Sequence, residues 1–123
     1  MSSKTKNIIN WVLAGLVVFI FLGSAFGKLS GDAEGVKMAA GFGINASNYA
    51  MLGVIEVIAI ILFLIPRTAV LGTLLLVAYM GGAIATHLQH DISIVAPVAI
   101  SAFVWIVSAV RIPELTQRIL GKS

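Results

Sequence analysis

The sequence predicts an all-α membrane protein: a four-helix transmembrane bundle with a short outer helix between its first and second spans. Three observations predict it. Hydrophobic residues fill 59% of the 123 positions and charged residues only 11%, whereas a soluble domain uses about 25% charged residues. The apolar residues fall in four runs, each at or near the roughly 20 helical residues that cross a bilayer. The lysines and arginines stand at the ends of those runs rather than in a stripe. The length fits a single domain, residues 1–123.

The first run extends from about Ile8 to Leu29. It exceeds the 7–15-residue apolar region of a secretory leader and reads as a span. The connection 30–48, SGDAEGVKMAAGFGINASN, holds the outer helix. Asp32 and Glu34 suit its start, where the dipole favours negative charge. Val36, Met38, Ala39 and Phe42 then lie on the membrane surface or cap the bundle, and Asn48 is placed to cap the next helix. The second run, about 49–65, stops at Pro66-Arg67, a helix break followed by a charge. The third covers about 68–88. The fourth covers about 92–110 and ends at Arg111 before Pro113. In lipid the backbone must satisfy its own hydrogen bonds, so these runs are helices.

Charge placement sets orientation. Lys4, Lys6, Arg67, Arg111, Arg118 and Lys122 fall on one side, and Lys28 and Lys37 on the other. The positive-inside rule puts both termini in the cytoplasm and, in a bacterium, the protein in the inner membrane. The pair Gly23/Gly27 and the series Ala78, Gly82, Thr86 are small-xxx-small patterns, which mark close helix contact in lipid.

Whole function classes drop out. The chain has no cysteine, so thiol nucleophiles, thiolate metal ligands and dithiol relays are excluded. The basic residues form no stripe, which leaves nucleic-acid binding unsupported. The spacing His87-x-x-His90-Asp91 lacks the four ligands of a structural zinc site, so no metal is expected. His90 and Asp91 read as a solvated turn.

The chemistry lies in charges within apolar runs. Glu56 stands alone in MLGVIEVIAIILFLI, where a carboxylate costs about 2.5–3.5 kcal/mol on insertion scales. It lies seven residues after Tyr49, about 10 Å further along the helix at 1.5 Å per residue. Lys28 and His87 approach from helices of opposite direction, and side chains lean toward their helix N-termini. Lys28, Glu56 and His87 are thus expected to converge in the outer half of the bundle. Ser101 is expected at similar depth, with Tyr79 and Trp105 as a deeper aromatic floor. Glu56 has two readings, an ion pair that fixes register or a group that binds ligand and exchanges protons. Lys28 either joins it or snorkels to the interface.

Four segments together resemble the DoxX-like family of bacterial membrane proteins: AFGKLSG at 25–31, MLGVIEVIAIILFLIPRTAVLGTLLL at 51–76, AYMGGAIATHL at 78–88 and VWIVSAVRIPEL at 104–115. The resemblance covers nearly the whole chain and implies a four-helix membrane protein whose motif positions are Lys28, Glu56, His87 and Arg111. It also implies association with redox or detoxification systems, since some relatives are subunits of a thiosulfate:quinone oxidoreductase. Distant animal relatives act as membrane chaperones or cargo receptors. A chain without cysteine departs from relatives assigned thiol relays.

The leading expectation is a pocket of Lys28, Glu56, Tyr79, His87, Ser101 and Trp105 that binds a small amphipathic ligand such as a quinone or lipid. No intrinsic cofactor and no complete catalytic motif is expected. The lipid bilayer surrounds the chain, with a second copy or a membrane subunit as partner. The alternative is a non-catalytic accessory, assembly or chaperone-like subunit, and third a small oligomeric permease.

Overall fold

The computed structural model describes residues 2–122, and among these every regular element is helical. Helix α1 spans Ser3–Ser30, with the Ser2 side chain accepting from the Thr5 amide at its start. It ends at Gly31, whose φ of 69° is the left-handed conformation of a helix stop. Asp32 caps the outer helix α2, Ala33–Gly41, by accepting from the Gly35 amide. Helix α3, Ala46–Leu64, is capped by Asn45, which accepts from the amide of Asn48. The expected cap, Asn48, is therefore the residue that is capped, and the helix starts a turn earlier than its apolar run.

A single 3₁₀ turn over Pro66–Thr68 joins α3 to α4, Ala69–Gln89. Thr68 Oγ1 donates to the Leu62 carbonyl at 2.8 Å, satisfying one of the carbonyls left open where α3 stops. Helix α5 covers Val95–Arg111 and α6 covers Pro113–Ile119. Proline at the first position of α6 suits a helix start, where its missing N–H costs nothing.

Contacts run from α1 to α3, α3 to α4, α4 to α5, and α5 back to α1. The core between them is formed by Val17 and Phe21 of α1, Ala59 and Phe63 of α3, Leu76 and Met80 of α4, and Val104 and Val107 of α5. Two glycines set the spacing. A methyl group at Gly53 would stand 2.9 Å from Lys28 Cβ and 3.3 Å from the Ala25 carbonyl, so α1 and α3 approach closely there. One at Gly72 would collide with the Phe63 backbone across the α3–α4 turn. The small-residue patterns singled out in the sequence do not do this within the chain. A methyl at Gly23, Gly27 or Gly82 would meet nothing within 4 Å, and Ala78 is exposed. Spacing shows that a face is small but not which way it is turned.

Among the described residues three helical segments, Ser3–Ser30, Ala46–Leu64 and Pro66–Gln89, are long and apolar enough to cross a membrane. Helix α5 reaches the same standard only together with α6, from which it is bent by 111°. Large apolar side chains cover the outside: Phe19 is 77% exposed and Phe26 76%. With so few charges, that exterior suits lipid, and the protein is a multi-pass membrane protein with three spans, or four if α5 is counted.

Two polar contacts tie α5 to its neighbours. Thr73 Oγ1 donates to the Ala69 carbonyl at 2.8 Å, which uses its only proton. The Ser108 hydroxyl, 3.0 Å away and fully buried, must then donate to Thr73. At the end of α5, Arg111 places its guanidinium 4.6 Å from the Phe63 ring centroid and donates to the Phe63 carbonyl at 3.4 Å. A cation is favoured at a helix C-terminus, and this contact sets the end of α5 beside the end of α3.

Candidate functional site

Glu56 is 1% exposed, held on α3 between α1 and α4. Its Oε1 accepts three hydrogen bonds: from Lys28 Nζ at 2.8 Å, from the Tyr79 hydroxyl at 2.9 Å and from the Ser24 hydroxyl at 3.1 Å. Lys28 also donates to Ser24 Oγ. The two α1 residues stand one turn apart and share a face, so the serine both accepts from the ammonium and donates to the carboxylate. All three donors converge on one oxygen. The other, Oε2, is buried without a partner among the described residues.

The surroundings explain why an ion pair persists here. Lys28 Nζ lies 5.6 Å from the Tyr49 ring centroid and 6.0 Å from that of Tyr79, two π faces that favour a partly desolvated cation. The Tyr79 ring meets Phe21 edge-on at 6.5 Å. Tyr49 is held from above, because its hydroxyl packs directly on Gly35 of α2.

Two cavities flank the cluster. One, of about 220 Å³, lies among α1, α3, α4 and α5 and is lined by Ser24, Lys28, Glu56, Tyr79, His87 and Pro97 with apolar neighbours. The other, of about 580 Å³, lies beneath α2 and is lined chiefly by apolar side chains, among them Met38, Phe42, Ile44 and Leu52. Lys28, Tyr79, Ala83 and His87 line both.

His87 meets the cluster through this shared wall. Its Nδ1 lies 2.6 Å from the Ala83 carbonyl of its own helix. A carbonyl only accepts, so Nδ1 carries the proton and Nε2 is left with its lone pair in the neutral ring. The ring meets Phe42 at a tilt of 44° with centroids 5.2 Å apart, and His90 meets the same phenyl edge-on at 5.4 Å. Phe42 and the buried Ala39 therefore cap the end of α4, which places the outer helix over the bundle.

A family model described as the DoxX-like family matches residues 12–110. The chain belongs to the DoxX-like family. The match takes in Ser24, Lys28, Glu56, Tyr79 and His87. Comparison with curated proteins and with solved structures returned no match.

Of the site residues expected in this DoxX-like chain, the structure brings Lys28, Glu56 and Tyr79 into direct contact and sets His87 on the same cavity. Tyr79 is a ligand of the carboxylate rather than part of a floor below it. Ser101 and Trp105, both half-buried on α5, line neither cavity. The correction is rotational: equal depth along a helix does not fix the direction of a side chain, and α5 turns Pro97 and Ile100 inward instead. Ser24 was missed. Its signal was the i,i+4 spacing to Lys28.

Proposed function

We propose that this DoxX-like protein forms a four-helix transmembrane bundle in the bacterial inner membrane and binds a small amphipathic ligand, such as a quinone, beside Glu56. The observation that carries the reading is Glu56 Oε2, a carboxylate oxygen with no partner on a residue that lines a cavity. A carboxylate kept only to fix helix register would gain from satisfying both oxygens, because unpaired polar groups are costly in an apolar interior. Here three donors crowd one oxygen and the other stays free. The chain carries no electron-carrier motif, so in a redox or detoxification system a partner subunit supplies that chemistry.

The test is saturable binding of a short-chain quinone, in its oxidised and its reduced form, to purified protein in lipid nanodiscs, binding of either form counting. Ala83→Phe fills the wall common to both cavities without touching the ion pair. Binding that saturates in the native protein and is lost in Ala83→Phe, with helicity intact, supports the pocket. Equal uptake by both proteins is partitioning into lipid and overturns it. A second reading, an accessory or assembly subunit, is favoured by the small-residue face at Gly23/Gly27, where an added methyl would meet nothing within 4 Å among the described residues. It predicts no saturable binding and a partner that co-purifies.

A further inference from the structure

We infer that the ligand of this site is a neutral hydrogen-bond donor with an apolar tail, of the phenol or hydroquinone class, whose hydroxyl enters the small cavity and whose tail lies in the large one beneath α2. The inference rests on the binding reading above and specifies what that pocket selects.

An inventory of protons decides the head group. The Tyr79 hydroxyl has one proton and directs it to Glu56 Oε1. The Ser24 hydroxyl does the same. Lys28 directs two of its three protons to Glu56 and Ser24, and its ammonium stands beside two aromatic rings. The His87 Nδ1 proton is held by the Ala83 carbonyl. What remains open in the lining of the small cavity is one Lys28 proton and Glu56 Oε2, a buried acceptor without a partner among the described residues. A carbonyl or ether oxygen can take the lysine proton but meets Oε2 lone pair to lone pair, whereas a hydroxyl both accepts from Lys28 and donates the proton that Oε2 lacks.

Charge decides that the head is neutral. Glu56 already has its counter-ion in Lys28 at 2.8 Å. An anionic head would meet the free carboxylate oxygen, and a cationic one would compete with Lys28 for the single negative charge.

Shape decides the tail. The inner cavity, about 220 Å³, falls below the roughly 300–1,000 Å³ of small-ligand sites and suits a single ring. The outer cavity, about 580 Å³, lies within that range, and its apolar lining suits an alkyl or prenyl chain. Lys28, Tyr79, Ala83 and His87 line both, so the two adjoin along these side chains, and the larger one is the nearest apolar space for the tail of a molecule whose head is in the smaller.

The experiment compares 4-hexylphenol, its methyl ether 4-hexylanisole and 4-hexylbenzylamine in nanodiscs, counting only binding that Ala83→Phe removes. The phenol is expected to bind at least about tenfold more tightly than the ether, equivalent to about 1.4 kcal/mol. In the double variant Lys28→Met/Glu56→Leu the preference should fall below about threefold. Equal saturable binding of phenol and ether overturns the donor assignment while leaving the pocket in place. Tighter binding of the amine overturns the neutral head. Binding of none of the three above the Ala83→Phe background overturns both this inference and the pocket on which it rests.

Discussion

Lys28 Nζ lies 2.8 Å from Glu56 Oε1, an ion pair that joins α1 to α3 with the lysine side chain 14% and the glutamate 1% exposed. Each charge is tolerable only in the presence of the other. Removing one partner of a buried pair leaves an uncompensated charge and costs about 3–5 kcal/mol, whereas replacing both by apolar residues is often neutral. Lys28→Met alone should therefore be strongly destabilising, and Lys28→Met/Glu56→Leu should recover most of the loss. Denaturant unfolding in mixed micelles measures both. A double variant as unstable as the single would mean that the pair itself holds the two helices together.

Glu56→Gln keeps the shape of the side chain. Its amide oxygen can accept from Lys28, Tyr79 and Ser24 in the place of Oε1. The amide nitrogen then occupies the position of Oε2 and turns an acceptor into a donor. Stability should fall, because Lys28 loses its counter-charge, but the purified protein should keep its helicity while the phenol-over-ether preference disappears. Glu56→Lys sets a second ammonium against Lys28 and should prevent folding. If Glu56→Gln fails to accumulate as severely as Glu56→Lys, the carboxylate is a structural lock.

The parts of this arrangement legible in the sequence share a physical cause. A carboxylate in an apolar run is conspicuous because lipid penalises it, and Glu56 and Lys28 were found in that way. Helix direction brought their side chains together, because the lean of Cα–Cβ bonds follows from chain polarity alone. Rotation about a helix axis follows from packing instead. This is why Ser101 and Trp105 were assigned to a cavity they do not line, and why the glycines that set interhelical distance proved to be Gly53 and Gly72. The Thr73–Ser108 contact escaped notice because hydroxyl residues carry no charge to stand out in an apolar run.

That contact gives a further prediction. Hydrogen bonds between helices in membrane proteins contribute about 0.6 kcal/mol on average and about 1.7 at most. Thr73→Val strands the Ser108 hydroxyl in a fully buried position, so it should cost more than the double variant Thr73→Val/Ser108→Ala. A double-mutant cycle should return a coupling of about 0.5–1.5 kcal/mol. A coupling of zero would mean that the hydroxyls are satisfied within their own helices.

The glycines separate just as sharply. A methyl at Gly72 meets the backbone of Phe63, which cannot rotate away, whereas one at Gly27 meets nothing within 4 Å. Gly72→Ala should therefore open the α3–α4 turn and lose at least about 3 kcal/mol, the scale of severe core overpacking. Gly27→Ala should leave the stability of the isolated chain within about 0.5 kcal/mol, as for substitutions that touch no packed neighbour. A large effect at Gly27 in membranes, absent in detergent monomers, would show that a second molecule packs on that face.

The last prediction concerns orientation. Arg111 reaches the Phe63 carbonyl, so the ends of α3 and α5 lie together, near the Pro66-Arg67 turn. Lys28 and Leu29, at the end of α1, pack on Gly53 in the first half of α3, and Ser24, a turn earlier, bonds Glu56 further along it, so α1 and α3 run in opposite directions and the α1 start falls at the same end as Arg67. Lys4, Lys6, Arg67 and Arg111 thus gather on one side of the bundle, and the outer helix with Lys37 lies on the other. By the positive-inside rule this basic end is expected on the cytoplasmic side. Single cysteines introduced into this cysteine-free chain report the answer directly. At Asn7 and at Gln117, both exposed, the thiol should resist a membrane-impermeant maleimide in intact cells, whereas one at Ala40 of α2, also exposed, should react. Labelling of Asn7→Cys from outside would invert the topology and would turn the phenol site toward the cytoplasmic leaflet.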